Sequence, residues 1–211
     1  MSERVVIPEF LDCMSPDDPE AMRSRRDLRR VNRLMGNDQW ICRTAAKFPE
    51  IAHRGIVEIG AGDGALCNRL QKLFPSAPVA AYDLAPAPPN LEPEISWHQG
   101  DIFEMPRPAK CGLMIANLFL HHFEGDALLA LGQWMKSAEL IIICEPARAR
   151  LPHLLGGMMH PFINRITRHD MHVSIRAGFV AEEIIRLMGL AEPSRKFQET
   201  STWRGARRIV G

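Results

Sequence analysis

Three histidines and one aspartate have the residue types and the spacing for proton transfer near neutral pH. His121 and His122 are adjacent, and His169 directly precedes Asp170. Imidazole titrates close to neutral pH and can take a proton from a hydroxyl group, while a neighbouring carboxylate can orient its ring. If the chain around His121 is extended, the side chains of His121 and His122 diverge, and at most one of them faces a cleft. We therefore expect the general base to be His121, His122, or His169 oriented by Asp170.

A glycine-dense stretch has the features of a binding loop. Glu58 lies two residues before Gly60, and Gly62 and Gly64 follow at alternate positions. Glycines permit backbone conformations that a Cβ would forbid, and they expose the main chain to a ligand at a helix N-terminus, where free N–H groups gather. With Ala65 at the third place, the run also fits the dinucleotide fingerprint. The glycines alone therefore leave the class of nucleotide ligand open.

The elements that position these residues alternate between strand and helix. Apolar, β-rich runs predict five strands in the middle of the chain, at 55–59, 79–83, 95–98, 113–117 and 140–144. The intervening helical periodicity predicts an α/β fold, a doubly wound, Rossmann-like sheet with helices on both faces. The stretch 197–210 suits two further strands around a turn at Arg204-Gly205. We therefore expect a seven-stranded sheet that ends in a C-terminal antiparallel β-hairpin.

Two regions lie outside this alternation. Asp17-Asp18-Pro19-Glu20 is a helix-start signal, and it predicts an N-terminal helical elaboration, or lid, over residues 1–50. Residues 51–211 then form the main domain. Within it, the long segment 147–173 contains methionines and aromatics between Met158 and Phe162, which form either an apolar acceptor pocket or a helix packed on the core.

Polar residues close two of the predicted strands. Asp83 ends the second strand, about twenty residues after the glycine loop. A carboxylate at this place can accept both hydroxyls of a ribose, and each charge-assisted bond contributes roughly 1.5–3 kcal/mol. Asn117 ends the fourth strand, where the cleft of an open α/β sheet lies. These positions predict a nucleoside site beside a second pocket.

The order and spacing of these features resemble class I S-adenosylmethionine (SAM) methyltransferases over about residues 55–211. The pattern E-x-G-x-G-x-G that begins at Glu58 is similar to their motif I, and the LHHF sequence at 120–123 is similar to a segment beneath the methionine moiety in many small-molecule enzymes. The resemblance implies SAM as the cofactor, with Asp101 accepting the adenine amine and Ile102 packing on the ring. It assigns the cofactor site to Glu58, Gly60, Ala61, Gly62, Gly64, Asp83, Leu84, Gly100, Asp101, Ile102, Asn117 and Leu118.

Within this superfamily the chain resembles bacterial small-molecule O-methyltransferases, including those acting on phenolic, polyketide-derived or quinone-type substrates. Two short runs resemble segments of enzymes encoded beside type III polyketide synthases; they are Asp17-Asp18-Pro19 and Arg168-His169-Asp170. This resemblance implies methyl transfer to a phenolic or hydroxyl oxygen of a small, partly apolar acceptor. Two alternatives are a non-catalytic SAM-binding module or synthase partner subunit, and a nicotinamide-dependent oxidoreductase. The predicted hairpin and the LHHF segment disfavour the oxidoreductase.

Composition narrows the partners and the compartment. A net charge of +1 gives no global attraction to nucleic acid, and the longest nearly uncharged apolar run, 111–120, is too short to cross a bilayer. Five dispersed cysteines without a CxxC pair indicate reduced thiols in the cytoplasm. The pair His169-x-x-His172 lacks a cysteine or acidic cluster that would complete a metal site, so we expect no metal. The sequence gives no prediction of the oligomeric state.

Overall fold

The computed structural model describes residues 3–15, 17–108 and 110–211, which fold around a seven-stranded sheet. Its strands are β1 (Ile56–Ile59), β2 (Val79–Asp83), β3 (Ser96–Gln99), β4 (Cys111–Asn117), β5 (Ala138–Pro146), β6 (Gln198–Ser201) and β7 (Ala206–Val210). The order across the sheet is β3-β2-β1-β4-β5-β7-β6. The first five strands are parallel, and β7 pairs antiparallel with both β5 and β6. The predicted fold class, including the C-terminal hairpin, is confirmed.

The apolar run of β5 lies inside the sheet and is covered on both faces. Ile141, Ile142 and Ile143 are each fully buried. Because side chains alternate across a strand, Ile141 and Ile143 join a cluster with Leu131, while Ile142 joins a second cluster with Leu70 on the opposite face. The sheet therefore stands between two apolar layers, as the doubly wound arrangement requires.

Eight α-helices complete the described part of the chain. They are α1 (Pro19–Met35), α2 (Asn37–Ala45), α3 (Pro49–Ala52), α4 (Ala65–Leu73), α5 (Gly125–Met135), α6 (Arg150–Met159), α7 (Arg165–Ala177) and α8 (Glu183–Leu187). Shorter 3-10 helices occupy Phe10–Cys13, Leu120–His122 and His160–Phe162. Within the described residues, none of the helices has both the length and the apolar character needed to span a membrane.

The predicted start of the first helix is confirmed by its cap. The Asp18 carboxylate accepts hydrogen bonds from the backbone N–H groups of Glu20 and Ala21, at 2.8 and 3.1 Å, and Pro19 occupies the first helical position. The helix ends at Gly36, whose φ of 69° is left-handed. The signals that begin and end α1 are therefore both local in sequence.

The N-terminal helices pack on the C-terminal part of the chain. Ser24 of α1 forms a 2.9 Å hydroxyl contact with Thr167 of α7, and the Asp27 carboxylate accepts a 3.0 Å hydrogen bond from the Asn164 backbone N–H. The segment 147–173, predicted as a long connection whose residues 158–162 form either an acceptor pocket or a helix packed on the core, contains α6 and most of α7. Residues of α1, α6 and α7 line one cavity together with Leu118, which follows β4, and Pro146, which ends β5. The division into residues 1–50 and 51–211 stays a prediction.

Candidate functional site

The glycine loop follows β1 in a conformation that depends on its glycines. Gly60, Gly62 and Gly64 have φ values of 69°, 57° and 68°, in the left-handed region where L side chains are strained. A Cβ at Gly60 would also overlap the ring of Phe119. Around Gly62 the space is open, because no described atom lies within 4 Å of a Cβ built there. The loop therefore presents bare backbone at Gly62.

Asp83 closes this loop from the neighbouring strand. Its carboxylate accepts hydrogen bonds from the backbone N–H of Gly62, at 2.7 Å, and of Ala85, at 2.8 Å. The next residue, Leu84, is 73% exposed. The backbone N–H groups of Gly60 and Ala61 also donate to the Tyr82 carbonyl. The sequence-predicted residues of β1 and β2 are thus brought together, and the role of Asp83 toward a ribose stays a prediction.

Carboxyl groups cluster beneath the loop. Glu58 is buried, which raises its pKa to about 8, and the nearby charges of Asp38, Asp63 and Asp83 act in the same direction. The Cys67 thiol donates a 2.8 Å hydrogen bond to Glu58. Asp38, which was not predicted as a site residue, lies in the first turn of α2. Glu58 is therefore mostly protonated at pH 7, and the nearby Asp38, Asp63 and Asp83 favour a cationic ligand over an anionic one.

The third predicted cofactor segment follows β3. The Gly100 backbone N–H donates to the Asp83 carbonyl at 2.9 Å, which ties this segment to β2. The carboxylate of Asp101 is exposed and accepts a 2.9 Å hydrogen bond from the Phe103 N–H, as in an Asx turn. Ile102 is buried in the apolar cluster. These positions lie beside the loop, and their roles toward adenine stay predictions.

The residues after β4 are held in an unusual conformation. Leu118 has a φ of 56°, a left-handed value rare for a non-glycine residue, and its N–H donates to the Cys144 carbonyl at 2.8 Å. Asn117 donates to the Asp38 carboxylate at 3.3 Å. Its side-chain oxygen is buried without a hydrogen-bond partner among the described residues. Strained and unsatisfied groups of this kind concentrate at functional sites.

The segment that contains His121 and His122 is a 3-10 turn at Leu120–His122 and not an extended strand. The Glu145 carboxylate, at the end of β5 and inaccessible to solvent, organises this turn. It accepts hydrogen bonds from the backbone N–H groups of Phe119 (2.9 Å), Leu120 (2.7 Å) and His121 (3.3 Å). It also bonds Nδ1 of His121 at 2.7 Å. The buried carboxylate is thereby satisfied, and the His121 ring is fixed.

His121 lies between two carboxylates. Nδ1 faces Glu145, and Nε2 lies 3.7 Å from Oε1 of Glu9. Burial alone would lower the pKa of His121, but the hydrogen bond to Glu145 and the charges of Glu145 and Glu9 outweigh it and raise the pKa to about 9. His122 behaves oppositely, because burial and the neighbouring His121 lower its pKa. The two imidazoles therefore differ in basicity although they are adjacent.

Both histidines line one cavity of about 670 Å³. The expectation that at most one of them faces a cleft is wrong, because the 3-10 turn brings the two rings to the same side, 4.2 Å apart. Glu9 and Asp12 complete the polar end. The remaining walls are mainly apolar and come from α1, α6, α7 and the hairpin turn; they include Leu28, Val31, Leu34, Met35, Leu118, Leu155, Met158, Met159, Met171, Ile175 and Trp203. Met158 and Met159 thus line a pocket, whereas Phe162 is 74% exposed.

His169 and Asp170 serve a different contact. Nδ1 of His169 lies 2.9 Å from the Asp170 carboxylate, as the sequence suggested. That carboxylate also accepts hydrogen bonds from the backbone N–H groups of Phe10 and Leu11, at 2.8 and 3.1 Å, and the Phe10 ring stacks on His169 at 3.7 Å. His169 is not among the described residues that line the cavity. The pair therefore anchors the N-terminal segment on α7.

The grouping of possible metal ligands differs from the sequence-based argument. His172 lies next to His153, with ring centroids 4.6 Å apart. Glu9, His121 and His122 instead each bring one potential ligand atom within 4.8 Å of the others. Glu9 was not predicted as a member of this group, because it lies 112 positions before His121 in the chain. The absence of a metal cofactor stays a prediction.

Three acids of this region were not identified from the sequence. Glu145 had a detectable signal, because it is an acid at the carboxyl end of a buried parallel strand, the same criterion that selected Asp83. Asp38 and Glu9 lie in the N-terminal region, where no spacing relates them to the sheet. The site is therefore larger than the motif-bearing part of the chain.

Comparison with known proteins agrees with this arrangement. Residues 16–140 match the family model described as an O-methyltransferase domain. A search of curated proteins gave no match. Among solved structures, the chain is similar to the plantazolicin methyltransferase BpumL in complex with a monoazolic desmethylPZN analog and SAH, with a TM-score of 0.71, 13% identity, and coverage of 92% of this chain and 90% of that one.

Two further structures share the fold at lower similarity. Magnesium protoporphyrin IX methyltransferase (ChlM) from Synechocystis PCC 6803, with bound SAH, has a TM-score of 0.56 and 14% identity, and the alignment covers 87% of this chain and 85% of that one. The pyocyanin biosynthetic protein PhzM has a TM-score of 0.53 and 19% identity, with 76% and 50% covered. At these identities the similarity establishes the fold.

Proposed function

The chain belongs to the O-methyltransferase domain family and is a SAM-dependent methyltransferase, and from this premise we propose that it methylates a phenolic or hydroxyl oxygen of a small, partly apolar acceptor. One observation carries the choice of acceptor. A histidine held by a buried carboxylate, His121 with Glu145, lies at one end of a mainly apolar cavity. Methylation at oxygen requires that the acceptor lose a proton, and this pair is placed to receive it.

The residues around the glycine loop fit the cofactor. The open space at Gly62, the unpartnered side-chain oxygen of Asn117 and the cluster of acids are suited to a nucleoside with a cationic tail. Asp83 would bind the ribose, and the backbone of Leu118 would lie near the sulfonium. SAM supplies a methyl group on a leaving group that its positive charge already activates. Alignment of acceptor and donor by the protein contributes on the order of 7–11 kcal/mol.

His121 is proposed as the general base. Its Nε2 takes the acceptor proton while Glu145, bonded at Nδ1, keeps the ring oriented and stabilises the imidazolium. A base with a pKa of about 9 is well matched to a phenol, whose pKa is about 10, so the proton transfer is nearly balanced. Only a small fraction of His121 is neutral at pH 7. We therefore expect kcat/KM to rise with pH up to about 9.

The N-terminal region is proposed as a lid over the acceptor. Leu28, Val31 and Leu34 of α1 form one wall of the cavity, opposite residues of α6 and α7. An apolar wall of this kind excludes water from a reaction in which positive charge disperses, and it selects acceptors with apolar surface.

The cysteines bear on the cellular compartment. All five are free, which supports our proposal that the protein is located in the reducing cytoplasm.

The test is a methyl-transfer screen with labelled SAM against phenols, quinols and polyketide resorcinols, repeated with single histidine variants. We expect His121→Gln to lower kcat about 10²–10⁴-fold. His53→Gln is the control, because that exposed ring is not among the described residues that line the cavity, and its kcat should stay within about threefold of wild type. His122→Gln tests the neighbouring imidazole. Full turnover by His121→Gln would remove that residue from the base role.

A further inference from the structure

The N-terminal strap, defined here as residues 4–12, crosses the histidine site and is anchored beside it. The Arg4 guanidinium donates hydrogen bonds to the carbonyls of Ala177 (2.7 Å), His121 (3.1 Å) and Phe123 (2.8 Å). It also lies over the Phe179 ring, 4.4 Å from the centroid. One end of the strap is therefore attached directly to the turn that carries His121.

The other end of the strap is anchored on α7. The Asp170 carboxylate accepts hydrogen bonds from the backbone N–H groups of Phe10 and Leu11. The Phe10 ring stacks on His169 with an interplanar angle of 8°. Asp170 is fully buried, so these bonds form away from water. Because Glu9 immediately precedes Phe10, this anchor fixes where the Glu9 side chain points.

Glu9 is directed inward at the cavity. It is 8% exposed, Ser174 donates a hydrogen bond to its Oε1, and the same oxygen lies 3.7 Å from Nε2 of His121. Burial would raise the pKa of Glu9, but the charge of His121 and the hydrogen bond from Ser174 lower it, so Glu9 is a carboxylate at neutral pH. A buried charge of this kind is costly unless it is paired, and the partner here is the proposed base.

We propose that Glu9 is a positioning residue for methyl transfer, and that the docked N-terminal strap completes the acceptor site by placing this carboxylate on the Nε2 side of His121. The inference rests on the proposed function of His121. Glu145 sets the ring from the Nδ1 side, and Glu9 sets it from the opposite side. The second carboxylate also favours the imidazolium that forms when the acceptor gives up its proton.

Other charged and titratable groups also surround His121. They are Arg4, Asp12 and Glu9 on the strap, His122 on the same turn, Glu145 on β5, and Asp170 with His169 on α7. Asp12 faces His122, at 3.9 Å, and Asp170 is occupied by the strap backbone. Glu9 is therefore the group of the strap whose charge acts most directly on Nε2.

The experiment compares Glu9→Gln, Glu9→Asp and the control Glu3→Gln in the full chain. Glu3 is an exposed acid close in sequence to Glu9, so its variant removes the same charge without touching His121. Two quantities are measured: kcat as a function of pH with the best acceptor of the screen, and the titration of the His121 ring by NMR. Calorimetry with SAM checks that cofactor binding is retained.

We expect Glu9→Gln to move the His121 titration midpoint to lower pH and to lower kcat about 10- to 100-fold at pH 9.5, where most of His121 is neutral in both proteins, with SAM affinity unchanged within about twofold. Glu9→Asp should recover part of kcat, and Glu3→Gln should match wild type. A merely structural role for Glu9 would not move the titration. Because NMR needs no acceptor, its result stands even if the acceptor screen fails.

The proposal is overturned if the His121 midpoint is the same in wild type and Glu9→Gln. It is also overturned if the kcat profile of Glu9→Gln is unchanged, or if its loss of activity follows entirely from weaker SAM binding. Absence of methyl transfer by the wild type with every acceptor, combined with a shifted midpoint, would instead reject the proposed function and keep the contact between Glu9 and His121.

Discussion

The two halves of the site are assembled in different ways. The half that we assign to the cofactor, around Gly60–Gly64 and Asp83, is built from two adjacent strands and is held mostly by backbone groups. The histidine half collects Glu9, His121, Glu145 and Ser174 from four separate parts of the chain and is held by side-chain charges. The first half follows from local geometry, whereas the second exists only once the chain has folded. The variants below test whether the halves are functionally separate.

The largest effect is expected from Glu145→Gln. The amide is similar in size, but it carries no charge and its nitrogen cannot accept the hydrogen bond from His121 Nδ1. We expect kcat to fall about 10²–10⁴-fold with SAM affinity nearly unchanged. The control is Glu139→Gln on the same strand, an exposed partner of Arg54. A large loss of SAM binding in Glu145→Gln would show that the two halves are not separate.

A smaller effect is expected from Asp83→Asn, and it should fall on the affinity for SAM and not on kcat. Loss of the charge weakens the hydrogen bonds that we assign to the ribose, by roughly 1.5–3 kcal/mol. The dissociation constant for SAM should rise about 10- to 150-fold, while kcat at saturating SAM changes little. Calorimetry and steady-state kinetics measure the two quantities. Asp126→Asn, an exposed acid at the start of α5, is the matched control. Normal SAM binding by Asp83→Asn would contradict the assignment.

The raised pKa of His121 should also make the free energy of unfolding depend on pH. The pKa of His121 is raised from 6.5 to about 9 on folding, so its contribution is fully present below about pH 6.5 and is lost as pH rises through 9. The contribution is at most about 3 kcal/mol. Wild type should therefore lose more unfolding free energy than His121→Gln between pH 6.5 and 9.5, measured by urea denaturation. Parallel curves for the two proteins would contradict the raised pKa.

The smallest effect is expected from metal removal. Glu9, His121 and His122 are close enough to suggest a cation site, but we assign them to proton transfer and positioning. Dialysis against EDTA should leave methyl transfer within about twofold, and added Zn²⁺ should inhibit it by occupying the histidines. Loss of activity on chelation, with recovery on adding a divalent cation, would replace the proton-transfer role of these residues by a metal-based one.

The two halves of the site also differ in how much of each could be predicted from the sequence. Strands β1, β2 and β4 lie within two residues of their predicted limits, and the start of α1 and the C-terminal hairpin were predicted because their signals are local. The turn at Leu120–His122 was not, because the carboxylate that stabilises it, Glu145, comes more than twenty residues later. Glu9 was missed for the same reason: its partner His121 is distant in sequence, and no periodicity relates the two.

Phe119 connects the two halves. Its ring fills the space that a Cβ at Gly60 would need, and its backbone N–H donates to Glu145 at 2.9 Å. A shift of the glycine bend therefore presses on a residue that also supports the carboxylate behind His121. The same residue therefore borders the glycine bend through its ring and the Glu145 carboxylate through its backbone. Any redesign of one half must preserve that joint.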